Sequence, residues 1–344
     1  MPAFGNAANV ERSVLAERRL RKMGAMRGFS PKLILGKEVH PLFRDNIEIL
    51  RNSPNFSAAM RCEAQWVIHE YASNKDPYFA KYIGDVANVL MESSAIYFDL
   101  LKKHEHSGAG ATLGKLQLVA FVHGYASPRR VTMYVKRLVQ DGRLQYSTDG
   151  GDRRVRRLVP CEPLIASARN NFAGLMSSCA CLCPDAPFVE EGMVWLLGDT
   201  QNWTSEQQGF FERICLEMGR RYLQGADPLR PYGDVRHFTS KDAGKFLLFN
   251  LILSSMVSGD RPSPNVEFAL NYSDAAASTG VSRTHVRNVI EGAEKRGLIV
   301  DLGEGGRSMR LTAKMIDAFE RYFASLMILT RESFLTAAAQ RKQQ

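Results

Sequence analysis

The sequence predicts a mainly α-helical chain with small β-hairpins, an α+β protein built on one unit used twice. Three observations predict it. Ser127–Leu158 reads SPRRVTMYVKRLVQDGRLQYSTDGGDRRVRRL and Ser282–Leu311 reads SRTHVRNVIEGAEKRGLIVDLGEGGRSMRL. Each starts on a capping Ser, runs an amphipathic helix into Asp-Gly or Arg-Gly, then gives a short strand, a Gly-Gly turn and a strand ending Arg-Leu. The second observation is charge. Of a net +9, the stretch Leu113–Leu158 carries ten Lys/Arg against three Asp, whereas Tyr272–Leu311 carries six basic against five acidic residues. The third is composition: 45% hydrophobic and 24% charged residues suit a soluble globular chain long enough for two or three domains.

The elements follow in order. Residues 1–40 form a basic arm, with Glu11–Lys37 carrying eight Lys/Arg against two Glu and one weak helix around Val10–Met23. Residues 42–73 read as helical with a break at Asn52-Ser53-Pro54-Asn55, and Lys75-Asp76-Pro77 marks a turn. Tyr78–Lys103 has Ile83, Val86, Val89, Leu90, Ile96, Tyr97, Leu100 and Leu101 at helical spacing. Leu113–His123 is a short helix ending at Gly124. Ser127–Asp141 is the next, with Pro128 at its first position, where a missing N–H costs nothing. Arg143–Thr148 and Arg153–Val159 pair as a hairpin, and a helix spans Pro163–Ser178. Phe188–Trp203 has no clear period. Glu206–Leu223 is helical, and Gly225–Gly233 is the clearest linker. The order then repeats: an apolar helix Ser240–Met256, short helix Ser273–Thr279, helix Ser282–Arg296, strands Leu298–Leu302 and Ser308–Thr312, and a long helix Lys314–Ala338. Tyr71-x4-Asp76-Pro77 and Tyr222-x4-Asp227-Pro228 extend the repeat upstream at nearly the same offset. The domains expected are the arm 1–40, a first helical plus winged domain 41–185, a connector 186–235 and a second winged domain 236–344.

A helix followed by a β-hairpin wing reads DNA when its inner face packs and its outer face stays polar. In the first unit Val131, Tyr134, Val135 and Leu138 form the inner face. Arg129, Arg130, Thr132, Met133, Lys136 and Arg137 are left for the outer or flanking faces. In the second unit Val286, Val289, Ile290 and Ala293 pack inward, and Arg283, Thr284, His285, Arg287 and Asn288 face outward. Arg grips guanine and Asn grips adenine in bidentate pairs. Ser127 and Ser282 stand where a helix N-terminus meets a backbone phosphate. Arg153, Arg154 and Arg156 on the first wing, and Arg307 on the second, are placed to enter a minor groove.

These motifs resemble the winged-helix regulators of the MarR type. Their wing commonly reads Asp-x-x-Asp-Arg-Arg before a strand ending Leu-Thr. Asp149-Gly-Gly-Asp152-Arg153-Arg154 through Leu158 is similar to it, and Arg310-Leu311-Thr312 matches the strand end in the second copy. The resemblance spans roughly Tyr78–Ser178 and Ser240–Ala338. It implies transcriptional regulation on double-stranded DNA, with helices outside the reading units forming a two-fold interface. Two units in one chain put dimerisation in question: a monomeric internal pseudo-dimer and a homodimer both stay open.

Other classes are expected less. A protein-interaction scaffold on winged helices and a two-winged-helix replication initiator are the alternatives. No Walker loop, dinucleotide glycine fingerprint, His-Glu-x-x-His or Ser elbow occurs, so neither an enzyme nor a cofactor is expected. Cys179-Ala180-Cys181-Leu182-Cys183 lacks a second ligand pair, so small buried thiols are expected over a metal site. Aromatics on Tyr78–Lys103 and Glu206–Leu223 can line a pocket for a small-molecule effector or simply fill a core. No apolar run reaches the ~18–20 residues of a membrane helix and no secretory h-region is seen, so a cytoplasmic protein without a membrane partner is expected.

Overall fold

The computed structural model describes residues 39–73, 85–105, 110–147, 156–184, 203–257, 261–303 and 308–341. Within them the chain is mainly helical with two small antiparallel sheets. The first half holds α1 (Pro41–Arg44), α2 (Ile47–Arg51), α3 (Phe56–Ser73), α4 (Val86–Glu105), β1 (Ala111–Thr112), α5 (Leu113–Val122), α6 (Pro128–Gln140), β2 (Leu144–Ser147), β3 (Arg157–Pro160) and α7 (Glu162–Leu182). The second holds α8 (Ser205–Leu223), α9 (Gly233–Thr239), α10 (Gly244–Ser254), α11 (Tyr272–Thr279), α12 (Arg283–Glu294), β4 (Ile299–Asp301), β5 (Met309–Leu311) and α13 (Ala313–Arg341).

The same order of elements occurs in both halves. In the first, α4 leads to β1, α5, α6 and the hairpin β2–β3, and the sheet runs β1-β3-β2. Register is set by Ala111 opposite Leu158 and Tyr146 opposite Leu158, which places the buried Leu158 at the centre. In the second, α10 leads to α11, α12 and β4–β5, with Ile299 opposite Leu311. The counterpart of β1 is reduced to one bridge: the Phe268 N–H donates to the Met309 carbonyl at 2.9 Å and the Met309 N–H returns the bond at 2.8 Å.

Local chemistry explains the match. The Thr112 hydroxyl accepts from the Lys115 N–H at 3.3 Å, and Asn271 accepts from the Ser273 N–H at 2.9 Å; each caps the helix before a tight turn. That turn needs a left-handed residue, supplied by Gly124 (φ 68°) and Gly280 (φ 66°).

Packing crosses between the halves reciprocally. α3 packs on α7 of its own half and on α10 of the other; α8 packs on α13 of its own half and on α4 of the other. α13, at 29 residues, also lies against α1, α2, α7 and α9. The halves therefore share one core, in which Phe56 meets Phe323 and Tyr71 meets Phe246. Gly174 on α7 and Gly219 on α8 let aromatic rings of neighbouring helices approach closely: an added Cβ would stand 2.3 Å from the Trp66 ring and 2.4 Å from the Tyr97 ring.

Two expectations are corrected. The segment read as a linker, Gly225–Gly233, is largely buried, with Ala226, Asp227 and Leu229 inside. The apolar helix expected over Ser240–Met256 begins only at Gly244, because Ala243 takes a left-handed φ of 58°. Gly244 there lies so close to the Phe238 carbonyl that a Cβ would stand 1.8 Å from its oxygen. Among the described residues no helix is long and apolar enough to cross a membrane.

Candidate nucleic-acid interface

α6 is built as an amphipathic helix with a closed inner face. Val131, Tyr134, Val135 and Leu138 are buried, and the Tyr134 hydroxyl donates to the buried Glu92 carboxylate on α4. Ser127 caps the helix by accepting from the Arg130 N–H at 3.3 Å, which leaves its own proton free to donate outward. Arg129, Met133, Lys136 and Arg137 are exposed. Met133 is 64% exposed, a large apolar side chain offered to solvent amid basic ones. Arg137 is braced by Asp141 at 2.9 Å, one turn on.

Two residues of the expected face are otherwise engaged. The Arg130 guanidinium is held by Asp85, just ahead of α4. Thr132 is half-buried; its hydroxyl donates to the Pro128 carbonyl and accepts from Gln117 on α5, both at 2.9 Å. These bonds fix the helix against its neighbours.

α12 repeats the arrangement. Val286, Val289, Ile290 and Ala293 are buried, and Ser282 accepts from the His285 N–H at 3.1 Å. Arg283, Thr284, Arg287 and Asn288 are exposed, but so are Glu291 and Glu294. His285, expected to face outward, is half-buried and donates from Nε2 to the Asp242 carbonyl at 2.9 Å. His285 stands in α12 where Arg130 stands in α6, three residues after the capping Ser. Each of these two helices is thus latched to a residue just ahead of α4 or α10.

Beside the β2–β3 hairpin, Arg156 is exposed just before β3 and stacks over the Tyr146 ring at 5.7 Å. Arg157 turns inward to Asp99 on α4. Arg153, Arg154 and Arg307 lie outside the described residues.

A buried cluster anchors the turn between α5 and α6. Asp227 accepts from the Tyr125 hydroxyl at 2.8 Å, from His123 Nδ1 at 3.1 Å and from the Leu229 N–H at 3.0 Å. Burial pushes the Asp227 carboxyl up, but hydrogen bonds from His123, Tyr125 and Tyr222 outweigh it and leave the pKa lowered. Arg236 closes the cluster, donating to the Gly124 carbonyl and lying over Tyr125. No local pattern points to this cluster, since 104 residues separate His123 from Asp227.

A cavity of about 220 Å³ lies among α4, α7, α8 and α13, lined by Leu90, Tyr97, Phe172, Met218 and Leu326 with Glu63 and Lys245 at its wall. Burial raises the Glu63 pKa and lowers that of Lys245, each opposed by the other's charge. Among the described residues no group of His, Cys, Asp and Glu could hold a metal ion.

The chain matches no protein-family model, no curated protein and no solved structure.

Proposed function

We propose that the two halves are tandem winged helix-turn-helix units arranged as an internal pseudo-dimer, and that the protein is a transcriptional regulator reading duplex DNA through α6, α12 and their wings. The carrying observation is the outer face of α6: Arg129, Lys136 and Arg137 stay exposed on a helix whose inner face is fully closed. Basic residues held this way neutralise phosphates and reach base edges in a major groove. The matched order of elements, the matched caps and the reciprocal packing support two reading heads at fixed separation. The MarR-type likeness of the first wing agrees with this reading. The cavity among α4, α7, α8 and α13 offers a seat for a small-molecule effector, ahead of which α4 carries the latch to α6.

The second unit favours a weaker contact. Its reading helix exposes Glu291 and Glu294 beside Arg283 and Arg287, so a protein partner on α12 is the second reading. Fluorescence anisotropy with a labelled 30-base-pair duplex tests the first. Arg129→Ala with Lys136→Ala should weaken binding strongly and Arg283→Ala only slightly; equal affinity for all three proteins would refute the proposed reading surface.

A further inference from the structure

The cysteines at the end of α7 take no part in the proposed reading surface, and their neighbours across the α3–α7 seam single out a pair. The two helices run antiparallel, and their contacts step along one turn at a time. Asn170 donates to Glu70 at 2.6 Å, Gly174 lies under Trp66, and Ser178 donates to Glu63 at 2.8 Å. Asn55 reaches the Leu182 carbonyl at 3.4 Å. One turn back from Trp66 on α3 stands Cys62; one turn on from Ser178 on α7 stands Cys181. The ladder therefore sets Cys62 on the seam facing Ser178 and Cys181, where the two thiols shift each other's ionisation. Both cysteines are free and half-buried, within reach of a small molecule. Cys179, by contrast, is buried against the Met327 sulfur at 3.8 Å.

We propose that Cys62 and Cys181 form an oxidisable dithiol that reduces a hydroperoxide and closes as a disulfide between α3 and α7. The Cys181 thiolate attacks one peroxide oxygen; the O–O bond breaks and the leaving alkoxide or hydroxide takes up a proton. Cys181 is then a sulfenic acid. The Cys62 sulfur attacks the Cys181 sulfur, the S–S bond forms, and the hydroxyl leaves as water with the Cys62 proton. Two thiols lose two electrons, and one hydroperoxide becomes one alcohol, or water, plus one water. The division of roles follows the local chemistry. The hydrogen bond from Cys62 lowers the Cys181 pKa to about 7 against the opposing effect of burial, so much of it is thiolate at neutral pH. The same bond, with burial, raises the Cys62 pKa, which keeps Cys62 protonated until Cys181 carries oxygen.

The test is peptide mapping of the fully reduced whole chain after one equivalent of hydrogen peroxide at pH 7. Two of the six thiols should disappear, and tryptic peptides 62–75 and 170–213 should be joined. Cys181→Ser should slow thiol loss by about tenfold or more, the gain expected from a thiolate near neutral pKa. Cys62→Ser should retain the first step and leave Cys181 labelled by dimedone. Loss at Cys161 or Cys183 instead, a bridge within the 170–213 peptide, or no cross-link in the wild-type chain would overturn the proposal. None of these readouts involves DNA, so they stand apart from the outcome of any binding measurement.

Discussion

Replacing Asp227 by Ala should cost about 3–5 kcal/mol of stability, the range for removing one partner from a buried charged contact. The figure is worked from what the carboxylate holds. Asp227 is 2% exposed and accepts from the Tyr125 hydroxyl, from His123 Nδ1 and from the Leu229 N–H. His123 and Tyr125 are themselves buried, so their donors cannot turn to water. A buried donor left without an acceptor costs about 1–3 kcal/mol, and three such losses reach the upper figure before any local relaxation. Urea unfolding followed by far-ultraviolet circular dichroism measures the difference at equal m-value. His123→Ala alone should cost less, and the double variant should fall short of the sum by about 1 kcal/mol or more, since the residues share one network. A loss below about 1 kcal/mol for Asp227→Ala, or strict additivity with His123→Ala, would refute the reasoning that this carboxylate anchors the α5–α6 turn.

Other outcomes follow from the same geometry. Because the Asp227 carboxyl has a lowered pKa, its contribution is present above the unfolded pKa of about 3.9 and is lost as pH falls through the lower folded value. The stability gap between wild type and Asp227→Ala should therefore remain open at pH 5 and narrow only in strong acid, as read by unfolding at stepped pH. Gly174→Ala should cost about 1–3 kcal/mol by overpacking, with a shift in tryptophan fluorescence, because the new methyl meets the Trp66 ring. Arg153→Ala with Arg154→Ala should weaken DNA binding and lower its salt slope by about 1–2 units, measured by anisotropy across a salt series. Arg130→Ala should lower both affinity and melting temperature, because its guanidinium pairs with Asp85; unchanged melting would show the latch to be dispensable.

The parts of the fold that were legible are those governed by short-range rules. The inner faces of α6 and α12 follow from 3.6-residue spacing, and Val131, Leu138, Val286 and Ile290 are buried as that spacing requires. Ser127 and Ser282 announce the helix starts because capping depends on the next three residues alone. Contacts remote in sequence were not legible. Pro and Gly in Gly225–Gly233 suggest an exposed linker, yet Asp227 is drawn inside by His123 and Tyr125 from the first half. The break before α10 depends on how closely Gly244 approaches the Phe238 carbonyl, which spacing does not reveal. In the candidate interface, Arg130 and His285 read as outward contacts because they follow the cap. Their partners, Asp85 and the Asp242 carbonyl, lie 45 and 43 residues away.

The central proposal is that the chain reads duplex DNA with two winged heads held in one molecule, the first of them strongly basic. Its most direct test is selection of bound fragments from a random-sequence duplex pool by the purified full chain, repeated from about 50 to 200 mM salt. The account predicts enrichment of a two-part site with constant spacing and an affinity that falls steeply with salt. Failure to retain any duplex at the lowest salt would contradict it.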